Sequence, residues 1–221
     1  FSRRDISTEI RYRNEEELKK IWGKEFERKY KRIMQAVNET KGTIITYNGE
    51  PITASFFSTS NGYTENAEDY WNHPIPYLKS VSSPWDKQSP KYTAKTTIPV
   101  REFEQKLQVK LANEKTIGKV LKRTKGKRIA LIEIGGKTFT GREVREKLNL
   151  QSTDFMLTRK QNTIVVETKG YGHGVGMSQY GANGMAMEGK TAEEIIQHYY
   201  QGTKIEQLDA IEEKLTKVGK N

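Results

Sequence analysis

Cysteine is absent, so the chain carries neither disulfides nor thiolate metal sites, and either redox compartment is compatible with it. Histidine is scarce: His73, His173 and His198 lie far apart, which argues against a dedicated zinc site. No metal and no other cofactor is expected. No apolar run reaches membrane-spanning length, and the start has no signal-peptide character. Hydrophobic residues make up only 34% against 30% charged, a balance that favours a surface-rich shape with a groove over a compact sphere. Aromatics still reach 10%, with 11 Tyr, so an ordered chain is expected rather than a disordered one.

One charge sign is in excess. Lys and Arg number 38 against 28 Asp and Glu, a net charge of +10, which suits nucleic acid, an anionic membrane face or an anionic wall polymer as neighbour. The bases spread over residues 3–41, 106–128 and 142–147 without a nucleic-acid-binding signature, so no nucleic-acid partner is expected.

The stretch 170–186 is the least generic. Gly170, Gly172, Gly174 and Gly176 alternate, Gly181 and Gly184 follow, and Tyr171, His173, Ser178, Gln179 and Tyr180 lie among them. So many glycines imply unusual backbone angles or close backbone approach, and the polar side chains can hydrogen-bond a ligand. Neither G-x-x-x-x-G-K-[ST] nor a strand-linked G-x-G-x-x-G with its downstream acid is present, which removes nucleotide binding. The plainer readings are a strand that bends or packs tightly, and a satisfied buried His173. A second polar loop, 58–66, carries Ser58, Thr59, Ser60, Asn61 and Tyr63, with Tyr70, Trp71 and Tyr77 beyond it. Hydroxyls beside aromatic platforms suit a sugar; equally, such residues satisfy turns.

Periodicity predicts a helix from residues 14–17 to Gly42, interrupted at Gly23, with Leu18, Ile21, Trp22, Phe26, Tyr30, Ile33, Met34 and Val37 as a core-facing stripe. Strands at 43–47 and 51–57 flank the turn Asn48-Gly49. Further expectations are a strand at 92–100, a helix at 101–111, and a strand or short helix at 117–121. A hairpin at 127–134 and 137–140, a helix at 141–148, paired strands at 155–159 and 163–168, and a helix at 191–201 complete the reading. Residues 1–13 read as a polar lead-in and 206–221 as a charged tail with Leu208, Ile211 and Leu215 on one face. The fold class expected is α+β, antiparallel hairpins with inserted helices in one domain over 1–221, with two lobes around a substrate groove as one arrangement.

Residues 30–205 resemble the stage II sporulation protein D family of peptidoglycan lytic transglycosylases, which also includes amidase enhancers. The resemblance rests on the segment from Ala36 to Gly42, Tyr47-Asn48-Gly49-Glu50-Pro51-Ile52, and the segment from Phe57 to Thr64 with Trp71. It continues through Pro76-Tyr77-Leu78, Ser83-Pro84-Trp85-Asp86, the segment from Gly141 to Leu150, and Gly172 to Ala182. It implies cleavage between N-acetylmuramic acid and N-acetylglucosamine in peptide-stripped glycan, giving 1,6-anhydro ends during septal wall remodelling and engulfment. It implies a partner amidase and membrane sporulation proteins as neighbours. The implied location is extracytoplasmic, anchored through a segment outside this numbering, on the mother-cell side of the septum. The family's catalytic glutamate lies in a Glu-Met-Pro segment that nothing in residues 1–13 matches, so the general acid is expected upstream of Phe1 and the chain alone is expected to lack turnover. Glu65 is the local substitute acid, set against the ordinary reading of a surface carboxylate. The residues expected to hold glycan are Ser58, Thr59, Ser60, Tyr63, Tyr171, His173, Ser178 and Gln179. The alternative is a non-catalytic wall-binding enhancer of an amidase.

Overall fold

A computed structural model describes residues 12–111 and 117–208. In chain order the elements are α1 (Glu15–Trp22), α2 (Phe26–Glu39), β1 (Thr43–Tyr47), β2 (Glu50–Pro51), β3 (Phe56–Phe57), α3 (Ala67–Trp71), β4 (Thr93–Pro99) and α4 (Val100–Leu107). Then come β5 (Lys119–Arg123), β6 (Ile129–Ile134), β7 (Lys137–Thr140), α5 (Gly141–Leu148), β8 (Phe155–Lys160) and β9 (Thr163–Lys169). The last are β10 (Met177–Ser178), α6 (Gln179–Met187), α7 (Ala192–Tyr199) and β11 (Lys204–Gln207). The fold is α+β, and the chain divides into two compact units, residues 53–203 and the remainder.

In the smaller unit Asn14 caps α1 with Glu17 in a reciprocal box, and Gly23 (φ 48°) ends that helix where the sequence breaks its period. Asn48 and Gly49 both take positive φ and close the β1–β2 hairpin, pairing Tyr47 with Glu50. Two expectations need correction. The strand expected over 51–57 breaks after β2, because Ser55 N–H closes a tight turn onto Thr53 O. The α1–α2 stripe is not core: Phe26 is buried between Trp22 and Tyr30, while Ile21, Ile33, Met34 and Val37 are exposed among the described residues. The first two residues of the 206–221 segment complete β11, which pairs antiparallel with β1; of the segment's proposed apolar face, Ile211 and Leu215 lie outside the described residues.

The larger unit carries the core. β4-β9-β8 and β5-β6-β7 are three-stranded antiparallel sheets, with Ile98 opposite Ile164, Leu157 opposite Val166 and Ile132 opposite Phe139. Inward residues alternate along β9, where Ile164 and Val166 are fully buried. α4 adds Phe103 and Leu107, and α5 adds Val144 and Leu148 to one continuous cluster. α5 starts where the sequence says it should: Thr140 accepts from Glu143 N–H, and the Glu143 carboxylate accepts from Thr140 N–H. The segment left open at 117–121 is the strand β5. α6 was not expected, and it lies inside the glycine-rich stretch.

Truncating Phe103, which is 0% exposed, leaves a cavity among α4, α5 and the sheets. Phe103→Ala is expected to destabilise the protein by about 3–5 kcal/mol, read as a lower urea midpoint; an unchanged midpoint contradicts this placement of the core.

Candidate functional site

The two polar loops, more than a hundred residues apart in sequence, are hydrogen-bonded to each other. Thr59 N–H donates to Tyr171 O (3.0 Å) and Tyr171 N–H to Thr59 O (2.7 Å). β3 pairs in parallel with β10, setting Ser178 beside Phe57, and Glu65 N–H donates to Gly174 O (2.7 Å). Gly170, Gly172, Gly174 and Gly176 all have positive φ, between 81° and 115°, which side-chain-bearing residues rarely adopt. Both sequence-level reasons for the glycines therefore hold, since a Cβ on Gly174 would also lie 2.6 Å from Arg128 Cζ.

At the centre is Asp86, in the 3-10 turn Pro84–Gln88 and fully buried. Its Oδ1 accepts from Ser60 N–H (2.8 Å) and Ser178 Oγ; its Oδ2 accepts from Ser60 Oγ (2.8 Å) and Ser83 Oγ (2.6 Å). Ser83 Oγ shares a hydrogen bond with Tyr199 OH (2.7 Å), and burial raises the Tyr199 phenol above its ordinary value. Ser178 also accepts from Gly181 N–H and so caps α6. Gly181 is required by packing rather than by φ, because a Cβ there would sit 2.1 Å from the Tyr199 hydroxyl. The Ser58 and Thr59 hydroxyls hydrogen-bond to each other at 3.3 Å, and Thr59 continues to Ser89 at 2.9 Å.

Of the eight residues expected to touch a ligand, Ser58, Thr59, Ser60 and Ser178 are buried and hydrogen-bonded within the protein. His173 is buried as well, its ring 5.6–5.7 Å from those of Phe57, Tyr70 and Trp71. Nδ1 accepts from Val175 N–H (3.0 Å), which leaves Nε2 to carry the proton of the neutral ring. Burial foremost, then the Arg145 charge, depress its pKa to about 4. Tyr63 is 40% exposed, Tyr171 half-buried and Gln179 exposed. These three form the accessible part of the set, carried on a buried hydroxyl scaffold.

Glu65 is not the surface carboxylate expected. It is 2% exposed, its Oε2 accepting from Thr124 Oγ1 (2.7 Å) and its Oε1 from Gly126 N–H (3.2 Å), with Arg128 Nη1 at 3.8 Å. Burial raises its pKa, opposed by Arg128. Both oxygens face protein donors, so the pair serves to clamp the turn 124–128 onto the loop. Arg128 Nη1 adds a bond to Tyr63 O (3.1 Å), and Asn61 Nδ2 reaches Gly126 O (3.1 Å). Nearby, Glu68 pairs with Lys79 at 2.7 Å, and Asp69 accepts from Asn66 Nδ2 at 2.7 Å. The clamp brings in side chains that the sequence reading left out. Lys127 Nζ lies 5.8 Å from the Tyr63 ring centroid and Lys91 Nζ 4.7 Å from that of Tyr171. Asp86 had a signal, its place in Ser83-Pro84-Trp85-Asp86; Arg128 and the lysines had none beyond belonging to basic stretches.

No family model matches the chain. It is 58% identical over 199 residues, 90% of its length, to Stage II sporulation protein D of Bacillus subtilis (strain 168). The chain belongs to the stage II sporulation protein D family. The protein of the same name from Bacillus amyloliquefaciens is 55% identical over the same 90%. An Amidase enhancer of Bacillus subtilis is 27% identical over 76% of this chain and 32% of its own length. The chain spans 58% of the length of the two sporulation relatives. Within this family member the matched region includes the zipped loops and the Asp86 network.

The neutral His173 gives a pH test. Its folded pKa of about 4 lies below the ordinary 6.5, so between those values the unfolded chain binds the extra proton. Its contribution is therefore complete above pH 6.5 and is lost as pH falls toward 4, by roughly 3 kcal/mol. Glu65, raised, slopes the opposite way above its ordinary value. Comparison with His173→Gln cancels that term. The stability advantage of wild type over the variant should shrink from pH 6.5 to 4 in urea titrations; a pH-independent difference contradicts a buried neutral ring.

Proposed function

We propose that this chain forms the glycan-holding part of a cell-wall enzyme of sporulation, a lytic transglycosylase that cleaves peptide-stripped peptidoglycan. The observation carrying this reading is the relationship at 58% identity over 90% of the chain to Stage II sporulation protein D. The geometry agrees with it. Tyr63, Tyr171 and Gln179 offer stacking faces and an amide from a scaffold whose buried hydroxyls are already hydrogen-bonded.

In the reaction, a carboxylic acid protonates the glycosidic oxygen as the C1–O bond breaks. The 6-hydroxyl of the same muramic acid ring attacks C1 and loses its proton, giving the 1,6-anhydro ring without added water. This differs from the two-carboxylate hydrolysis scheme, where water is the nucleophile. The acid has to be held protonated, by burial or a neighbouring charge. Glu65 and Asp86 are both enclosed by donors, so the reading assigns the proton donor to neither of them. Localisation at the septal wall, outside the cytoplasm and beside a wall amidase, belongs to the same proposal.

The distant similarity to an Amidase enhancer supports a second reading, a non-catalytic wall-binding partner of an amidase. The natural full-length protein, incubated with amidase-stripped glycan, separates the two. The first reading expects 1,6-anhydro ends by mass spectrometry, and a Tyr63→Ala/Tyr171→Ala pair that raises KM roughly tenfold or more. Binding without any anhydro product, together with a faster amidase, rejects catalysis in favour of the second.

A further inference from the structure

The backbone that carries Lys127 and Lys91 is held by the fold. Lys127 sits at φ 66°, a left-handed conformation unfavourable for a side-chain-bearing residue, in a turn held by Gly126 N–H to Glu65 and Arg128 to Tyr63 O. Lys91 N–H donates to Ser89 Oγ (3.1 Å), which itself joins Thr59 Oγ1. Each lysine is thus tied to the hydroxyl loop, Lys127 near the Tyr63 ring of that loop and Lys91 over the Tyr171 ring of the glycine-rich loop. Tyr171 is bridged to Thr59, and Thr59 and Tyr63 are four residues apart. Counting four residues and the bridge, the Tyr63 and Tyr171 backbones lie at most about 20 Å apart, a span that a short oligosaccharide covers.

A neutral sugar needs the ring face of tyrosine but no ammonium beside it. A stem peptide is joined to muramic acid through an amide; hydrolysing that amide leaves a free carboxylate on the sugar's lactyl arm. We infer that Lys127 and Lys91, each above its tyrosine, read that carboxylate and so select peptide-stripped over peptide-bearing strands. The inference rests on the glycan reading above and deepens it. Stacking on Tyr63 or Tyr171 fixes the ring, and the lysine pairs with the carboxylate, an interaction that screens with salt. The net charge of +10 favours approach of the same polyanion.

The test measures binding of the full chain to three glycans: peptide-stripped strands, the same strands with carboxylates converted to methylamides, and peptide-bearing strands. Wild type should prefer the stripped strand over its methylamide by roughly tenfold at low salt, less at high salt. Lys91→Met/Lys127→Met should erase that preference, and Lys91→Arg/Lys127→Arg should keep it. Lys127→Gly, which also relaxes the left-handed backbone, should lose part of it and serves if the double variant unfolds. A wild type that binds both strands equally, or a Met pair that keeps the full preference, overturns the inference while leaving glycan binding intact. A wild type that binds none of the three overturns the glycan reading, and this inference with it.

Discussion

A carboxylate cut off from water has to be surrounded by donors, because an unpaired buried charge costs several kcal/mol. Asp86 meets that condition by drawing hydroxyls from three separate places in the chain, Ser60, Ser83 and Ser178, with one backbone N–H. Because the donors are 26, 3 and 92 residues away in sequence, satisfying this one side chain joins the turn that carries it to both polar loops. Tyr199 extends the network into α7, and Ser178 passes it to the start of α6. The parallel strand pair and the Thr59–Tyr171 bridge run alongside that join.

Around this centre the other buried polar groups play the same part. Glu65 and Arg128 lock a turn onto the outer flank of the Ser58–Glu65 loop, and neutral His173 fills an aromatic recess under Phe57, Tyr70 and Trp71. The polar side chains that look most ligand-like in sequence are thus largely engaged in holding the loops. That division of labour leaves Tyr63, Tyr171, Gln179 and the two lysines as the surface such a scaffold presents. Preorganisation of this kind favours binding of a stiff polymer, since little ordering remains to be done on contact.

The elements built from local signals were legible. The helix at 141–148, the Asn48-Gly49 turn and the paired strands at 155–159 and 163–168 each follow from residues close in sequence. What was hidden depends on distant partners. β11 is four residues long and finds β1 about 160 positions away, as in the Thr46–Glu206 hydrogen bond. α6 was masked because Gly181 and Gly184 lower helix propensity, yet Tyr199 and Trp85 approach so closely that no larger residue fits. In the candidate site, both loops stood out in sequence, while their pairing and the burial of their hydroxyls did not. Burial there follows from Asp86 and Arg128, whose partners no sequence spacing announces. The same holds for Glu65, whose carboxyl would be an ordinary surface group without Thr124, Gly126 and Arg128 around it.

The central claim is that Asp86 holds the two loops together, and amide hydrogen exchange on Asp86→Ala tests it most directly. The account predicts that Thr59, Tyr171 and Tyr180 amides, bonded across the loops in the native protein, lose protection together by roughly tenfold or more. Amides of the β8–β9 pair should keep theirs. Loops that exchange as slowly in the variant as in wild type would contradict the account.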